Sequence, residues 1–251
     1  MRDPADSERV QAYYAKILPF YEKETAGQDT AFWRGLARRW RPARILEIGS
    51  GLGSITAALS REAPAFGIDV SLAMLLRASR RRSRARFVAA DMRDAVFGCR
   101  FDLIVAPSDP LCHLTRLEDR RRALSNVADA LTSAGRFVLE ALYRPGRRTL
   151  LFERLVRRPG GLLEIAETWR PAGRRGLWRA TYRYRDRGRK LPARTLEASF
   201  TARSWSLAEL RQLFAECGLS VEKVWRDFRS RPFRRGDRRM IVVARRARFL
   251  H

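Results

Sequence analysis

A β-rich run, Arg44-Ile45-Leu46-Glu47-Ile48, leads into Gly49-Ser-Gly51-Leu-Gly53 and then into apolar residues at helical spacing from Ile55 to Leu59. Glycines in such a strand-to-helix turn let the chain adopt positive φ and let a ligand approach the backbone with no Cβ in the way. The spacing differs from the phosphate-binding G-x-G-x-x-G pattern, which brings a helix N-terminus to a pyrophosphate. Alternating glycines preceded by an acid, Glu47, suit a ligand with a cationic group and no phosphate. Asp69 closes the following strand-like run 20 residues after Gly49, where a carboxylate can take both hydroxyls of a ribose. His113 is the only histidine besides the C-terminal His251. It follows a fourth strand-like run in Asp109-Pro-Leu-Cys-His113, where it can serve as a base or orient a substrate, and Asp109 can hold a cationic or hydroxylated ligand.

The elements that must position these groups alternate. Val10 to Trp40 reads as two short helices interrupted by Pro19 and Gly27. Strands are expected at 44–48, 65–69, 86–90, 101–106 and 136–142. Between them lie helices at 55–59, at 72–80 behind a Ser71 cap, and at 117–131 behind a Thr115-x-x-Glu118 capping box. Such alternation implies a parallel sheet covered on both faces. After Tyr143 the rhythm breaks. A turn at 144–148 and a short helical stretch at 149–156 lead to three alternating runs at 162–169, 177–184 and 196–205, which read as an antiparallel sheet. A helix capped by Ser206 and strands at 219–225 and 240–244 then resume the earlier pattern.

Composition narrows the function. The chain of 251 residues carries 52 Lys plus Arg against 27 Asp plus Glu, a net charge of +25. Only four of the basic residues are Lys, a ratio that points to an Arg-favouring codon bias as much as to function. At 45% hydrophobic the chain can bury a sizeable core. Three cysteines without C-x-x-C spacing, and no signal peptide, argue against a disulfide framework and for a cytoplasmic protein. No zinc or other metal site is expected, and no apolar run is long enough to span a bilayer.

The ordered motifs resemble those of the class I S-adenosylmethionine-dependent methyltransferases, whose pattern is E/D-x-G-x-G-x-G, an acid ending the second strand, an acid after the third, and a variable loop after the fourth. This chain shows Glu47 to Gly53, Asp69, Asp91 in Ala-Ala-Asp91-Met92-Arg93, and Phe-Asp102-Leu-Ile-Val-Ala106-Pro107-Ser108-Asp109. The resemblance covers roughly residues 10–143 and 204–246. It implies an α/β fold with a Rossmann-like seven-stranded sheet, helices on both faces and an inserted antiparallel lid. The corresponding layout is an N-terminal helical cap (1–43), a cofactor-binding core (44–143 and 204–246) and a substrate lid (144–203). It also implies S-adenosyl-L-methionine as cofactor, with Gly49, Gly51 and Gly53 around its methionine part, Glu47 facing the ammonium and Asp69 on the ribose. Asp91 and the Met92 N–H would meet the adenine, Val70 and Met74 its faces, and the Ala106 carbonyl the ammonium. Tyr13 and Tyr14 resemble tyrosines that close over the active site in small-molecule members. The residues expected at the chemistry are His113, Tyr14 and Asp109.

The loop after the fourth strand lacks the N/D-P-P-Y/F of enzymes that methylate base amines, and Cys112 is not placed as a cytosine nucleophile. Together with the lid, this favours methyl transfer to a nitrogen or oxygen of a small-molecule acceptor, similar to amino-acid and amino-sugar N-methyltransferases. Two alternatives stay open. Residues 1–143 carry 23 basic and 17 acidic residues, the remainder 29 and 10, so a basic insertion could bind rRNA or tRNA. A non-catalytic cofactor- or partner-binding protein of the same fold is the other. Whether the insertion's arginines face the pocket or solvent decides much of this.

Overall fold

The computed structural model describes residues 4–25, 30–143, 148–173, 176–188, 192–234, 236–237 and 239–247, with side chains from Ser7 onward. In chain order the helices are α1 (Pro4–Glu24), α2 (Ala31–Trp40), α3 (Ser54–Leu59), α4 (Leu72–Ala78), α5 (Leu117–Ala130) and α6 (Leu207–Glu216). The strands are β1 (Ile45–Ile48), β2 (Ala65–Asp69), β3 (Arg86–Ala89), β4 (Phe101–Ala106), β5 (Leu131–Ala141), β6 (Leu150–Arg158), β7 (Gly161–Pro171), β8 (Leu177–Gly188), β9 (Arg194–Arg203), β10 (Leu219–Trp225) and β11 (Met240–Arg246).

Seven strands form one sheet in the order β10-β11-β5-β4-β1-β2-β3. β5, β4, β1, β2 and β3 pair in parallel, and β11 is antiparallel to both β5 and β10. Successive strand residues point to opposite faces, so Ile45, Leu103 and Val105 pack under α2 and α3 while Leu46, Ile104 and Phe137 pack under α5 and α6. The chain reverses its winding between β1 and β4, and the crevice beyond the carboxyl ends of those two strands is where an open α/β sheet takes its ligand. Both the glycine loop and the Pro107–Pro110 turn lie there. No helix among the described residues is long and apolar enough to cross a membrane.

The second sheet is the inserted lid, with four antiparallel strands in the order β6-β7-β8-β9. Its first strand corrects the sequence reading, which expected a helix at 149–156. Apolar residues at 150, 152 and 156 alternate on the inner face, and every residue of β6 pairs with β7. A short apolar run satisfies both periods, and pairing decides between them. The turn expected at 144–148 lies largely outside the described residues.

α1 also departs from expectation, since it continues through Pro19. A helix-interior proline costs roughly 3 kcal/mol. Here Tyr13, Ile17 and Phe20 bury against Leu163, Ile165, Tyr184 and Ala198 of the lid, an apolar burial of comparable or larger worth. The interruption expected at Gly27 falls outside the described residues. Thr115 does not cap α5, whose N-cap is Arg116 with no side-chain bond; Glu118 and Asp119 in the first turn complement the helix dipole instead. Ser71 and Ser206 cap as expected, accepting from the amides of Met74 and Glu209.

Ionic contacts add to the seam between α1 and the lid. Buried Asp186 accepts from both Lys23 and Arg158. Burial alone would raise its carboxyl, but the two cations outweigh that and hold it below the usual carboxylate range. Asp186→Asn should cost about 1.5–3 kcal/mol and lower the melting temperature by several degrees. A thermal melt that does not move would exclude the contact as a contributor.

Candidate active site

The first cavity opens between the glycine loop, β2, the start of α4 and α1. Gly49, Gly51 and Gly53 all have positive φ, at 69°, 49° and 70°, but they serve different ends. A Cβ on Gly49 would overlap the Pro110 ring, and one on Gly53 would overlap Phe87 and Ala78, whereas one on Gly51 would enter open space. Gly51 is therefore the glycine whose missing side chain leaves room for a ligand. Gly49 lets the Pro107–Pro110 turn pack against the loop. Gly53 starts α3 and does not line the cavity; Ala106, fully buried, does not line it either.

Glu47 and Asp69 both line this cavity. Asp69 accepts from the Gly51 amide (2.8 Å) and the Ser71 amide (2.8 Å), so it holds the loop shape while presenting its remaining lone pairs. Glu47 is buried and accepts from the Thr56 hydroxyl. Burial pushes its carboxyl up to about 8, against the lowering effect of Thr56. A cationic group arriving there stabilises the ionised form, so binding should expel a proton. At pH 7 about one proton per bound cofactor is expected, measured by calorimetry in buffers of different ionisation enthalpy. Affinity should rise as pH approaches 8, and proton-neutral binding would remove Glu47 from contact with the ammonium.

Val70, Met74 and Met92 line the same cavity, with Met74 almost fully buried as an apolar wall. Asp91 lines it too, but its carboxylate is engaged by Arg93 (Nη2 to Oδ2, 2.7 Å) and the Ser7 hydroxyl (2.6 Å). Arg93 Nε and the Arg93 amide add further bonds. Burial would raise Asp91, yet these partners keep it low. With roughly four acceptor positions on a carboxylate, an adenine amine would have to displace Ser7. The geometry pairs Asp91 with Arg93 and with Ser7 at the start of α1. The donor set and the space beside Gly51 fit S-adenosylmethionine: acids for an ammonium and a ribose, apolar walls for a flat base.

A second cavity adjoins the first, and Tyr14, Tyr21, Thr25, Ser108 and His113 line both. It is walled by α1, the lid and the Pro107–His113 segment. The Tyr14 hydroxyl shares a hydrogen bond with Nε2 of His113 (3.0 Å). Burial lowers the imidazole to about 4 and holds the Tyr14 phenol well above its ordinary value, so both are neutral at physiological pH. Asp109 is placed differently from expectation. Its Oδ2 accepts from Trp205 Nε1 (2.7 Å) and the Leu142 amide (2.6 Å), and its Oδ1 is enclosed. It anchors the turn, with its carboxyl raised to about 6 by burial. Ser108 and Asp109 have φ of 55° and 49°, a conformation costing about 1–3 kcal/mol per non-glycine residue.

Residues that the motifs did not mark complete this cavity. Arg154 of β6 sits between Glu24 of α1 and Glu167 of β7 (2.9 Å to the latter). Tyr184 donates to Glu24 (3.0 Å), and Arg239 pairs with Glu140 (3.3 Å). Inward alternation on β6 to β9 was the available signal, blurred at β6 by the helical reading. On β8 the inner residues are Trp178, Ala180, Tyr182 and Tyr184, while Arg179, Arg183, Arg185 and Arg187 are exposed on the outer face. Arg183 pairs there with Glu197, and Arg187 with Glu164.

Residues 45–135 match the methyltransferase domain family. No curated protein matches the chain in sequence. Among solved structures, CalS10 from Micromonospora echinaspora, an amino pentose methyltransferase of calicheamicin biosynthesis with SAM bound, is 22% identical, with a TM-score of 0.76 over 91% of this chain and 97% of that one. DesVI from Streptomyces venezuelae is 20% identical, with a TM-score of 0.79 over 93% and 98%. The sugar N-methyltransferase KedS8 from Streptoalloteichus is 21% identical, with a TM-score of 0.74 over 91% and 92%. Residues 45–135 thus form a methyltransferase domain, and the chain as a whole has the fold of these structures.

Proposed function

We propose that this protein methylates the nitrogen of a small polar amine, such as an amino sugar. The observation that carries this reading is the charge of the second cavity. In a chain of net charge +25, its walls bring Glu24, Glu140 and Glu167 together against, among the described residues, Arg154 and Arg239. Tyr13, Tyr21, Trp169, Tyr182 and Phe200 supply ring faces beside them. Carboxylates and aromatic faces favour a cation. Structures with related folds that act on an amino pentose and on a sugar nitrogen support the same acceptor class.

The acid–base groups favour nitrogen over oxygen. A sugar hydroxyl needs a base whose pKa lies near the working pH; His113 titrates near 4 and Tyr14 keeps its proton. An amine needs only to shed its ammonium proton before reacting. S-adenosylmethionine, when bound, supplies an electrophilic methyl group. The chain's own residues would then align and enclose: Glu47 and Asp69 hold the donor, the lid and α1 exclude water, and Tyr14 with His113 borders the route between the cavities.

The test is a label-transfer screen against free and nucleotide-linked amino sugars, amino acids, hydroxylated sugars and total RNA in parallel. Label in amines and not in the matched hydroxyl compounds is expected. Label in RNA at physiological salt would overturn the reading. The outward aim of the β8 arginines supports a small acceptor, because a nucleic acid bound on that face would lie away from the cavities.

A further inference from the structure

The turn after β4 has two features that the cofactor and acceptor contacts named so far do not require. Ser108 and Asp109 are consecutive left-handed non-glycine residues, placed between Pro107 and Pro110. Strain of this kind persists only where surrounding contacts enforce it, and it collects at sites of function. The enforcement is visible. The Ser108 amide donates to Glu140 (2.9 Å), and Asp109 is tied to Trp205 and to the Leu142 amide. Pro110 occupies the space that a side chain on Gly49 would need. The turn is thus locked to the donor loop on one side and to the strand ends beneath the acceptor cavity on the other.

The outcome of that locking is the placement of Ser108. It is the one exposed residue between Phe101 and Pro110, it lines both cavities, and no other described residue hydrogen-bonds to its hydroxyl. We infer that Ser108 orients the acceptor, its side chain taking a hydrogen bond from the amine so that the nitrogen lone pair points through the opening between the two cavities. This rests on the amine reading above. In the step so oriented, the nitrogen lone pair forms the C–N bond to the methyl carbon as the C–S bond breaks and its electron pair passes to sulfur. The nitrogen becomes cationic, and its proton leaves to solvent after the methyl group has moved. The serine gains and loses nothing; it sets direction.

The experiment compares wild type, Ser108→Ala and Ser108→Gly with an amine acceptor, following kcat, acceptor KM, cofactor Kd and melting temperature. Ser108→Ala keeps the strained backbone and loses the hydroxyl, so kcat should fall about tenfold with cofactor Kd within about twofold. Ser108→Gly relieves the strain, so the melting temperature should rise while kcat falls at least as far. A merely structural serine would let the glycine variant keep its rate. If Ser108→Ala keeps kcat and KM within about twofold of wild type, the assignment of Ser108 is overturned and the amine reading stands. If wild type methylates no amine, the amine reading fails, and this role for Ser108 fails with it.

Discussion

Alanine at Gly49 is expected to cost about 2–5 kcal/mol of stability and to abolish measurable cofactor binding. The figure combines two effects of ordinary size: overpacking a close contact, about 1–3 kcal/mol, and placing an L-residue in the left-handed region, about 1–2 kcal/mol. Gly49 has φ of 69°, and its Cβ would overlap the Pro110 ring. Proline cannot swing aside as a flexible side chain would, so the glycine loop or the Pro107–Pro110 turn must shift, and both Gly49 and Pro110 line the first cavity. Gly51→Ala is the informative partner. Its Cβ would meet nothing within 4 Å, so stability should change less while the new methyl group intrudes on the ligand. Thermal melts and calorimetric titration of both variants check this. If Gly49→Ala melts with wild type and binds the cofactor normally, the packing account of the loop is wrong.

Asp69→Ala is expected to weaken cofactor binding by about a hundredfold. A charge-assisted hydrogen bond is worth about 1.5–3 kcal/mol, or roughly tenfold to a hundredfold in affinity. The upper end applies because Asp69 also accepts from the Gly51 and Ser71 amides, which lose their partner in the variant. Burial raises the Asp69 carboxyl, while these amides and that of Val70 oppose the rise. Asp69→Asn keeps one acceptor oxygen and should fall between the two. Titration of the cofactor against each variant reads the effect directly, and an unchanged affinity for Asp69→Ala would remove this carboxylate from the ribose.

Linkage runs the same way for three buried acids. Glu47 and Asp109 titrate near 8 and 6, and Glu140 is also raised, all by burial. His113, lowered to about 4, opposes them below about pH 6.5; above that the folded chain holds more protons than the unfolded one, and stability falls as pH rises to about 8. Without cofactor the melting temperature should drop between about pH 6.5 and 8. Saturating cofactor should blunt that drop through Glu47; an identical slope with and without it would argue against the Glu47 contact.

The lining of the first cavity was legible because its determinants are local. A strand, an alternating glycine loop and an acid at the end of the next strand are set by residues within a few positions of one another, and Glu47, Gly49, Gly51, Asp69, Val70 and Met74 do line one cavity. Asp91 shows where locality ends, since Ser7 and Arg93 engage its carboxylate and Ser7 lies 84 residues away. Asp109 was marked by its place beside His113, but Trp205, 96 residues distant, turned it from an acceptor contact into an anchor.

By itself the sequence determined the seven-stranded fold, the inserted sheet and much of the lining of the first cavity, through hydrophobic period and glycine spacing that short-range sterics enforce. Only the tertiary structure decided which way the arginines of β8 face, that 150–158 is a strand, and that Glu24, Glu140, Arg154 and Glu167 converge on one cavity. The reason is physical. A strand's alternation says that two faces differ, but which face is covered depends on what packs against it. Here α1 closes on the aromatic face of the lid, leaving the arginines in water and the carboxylates inside.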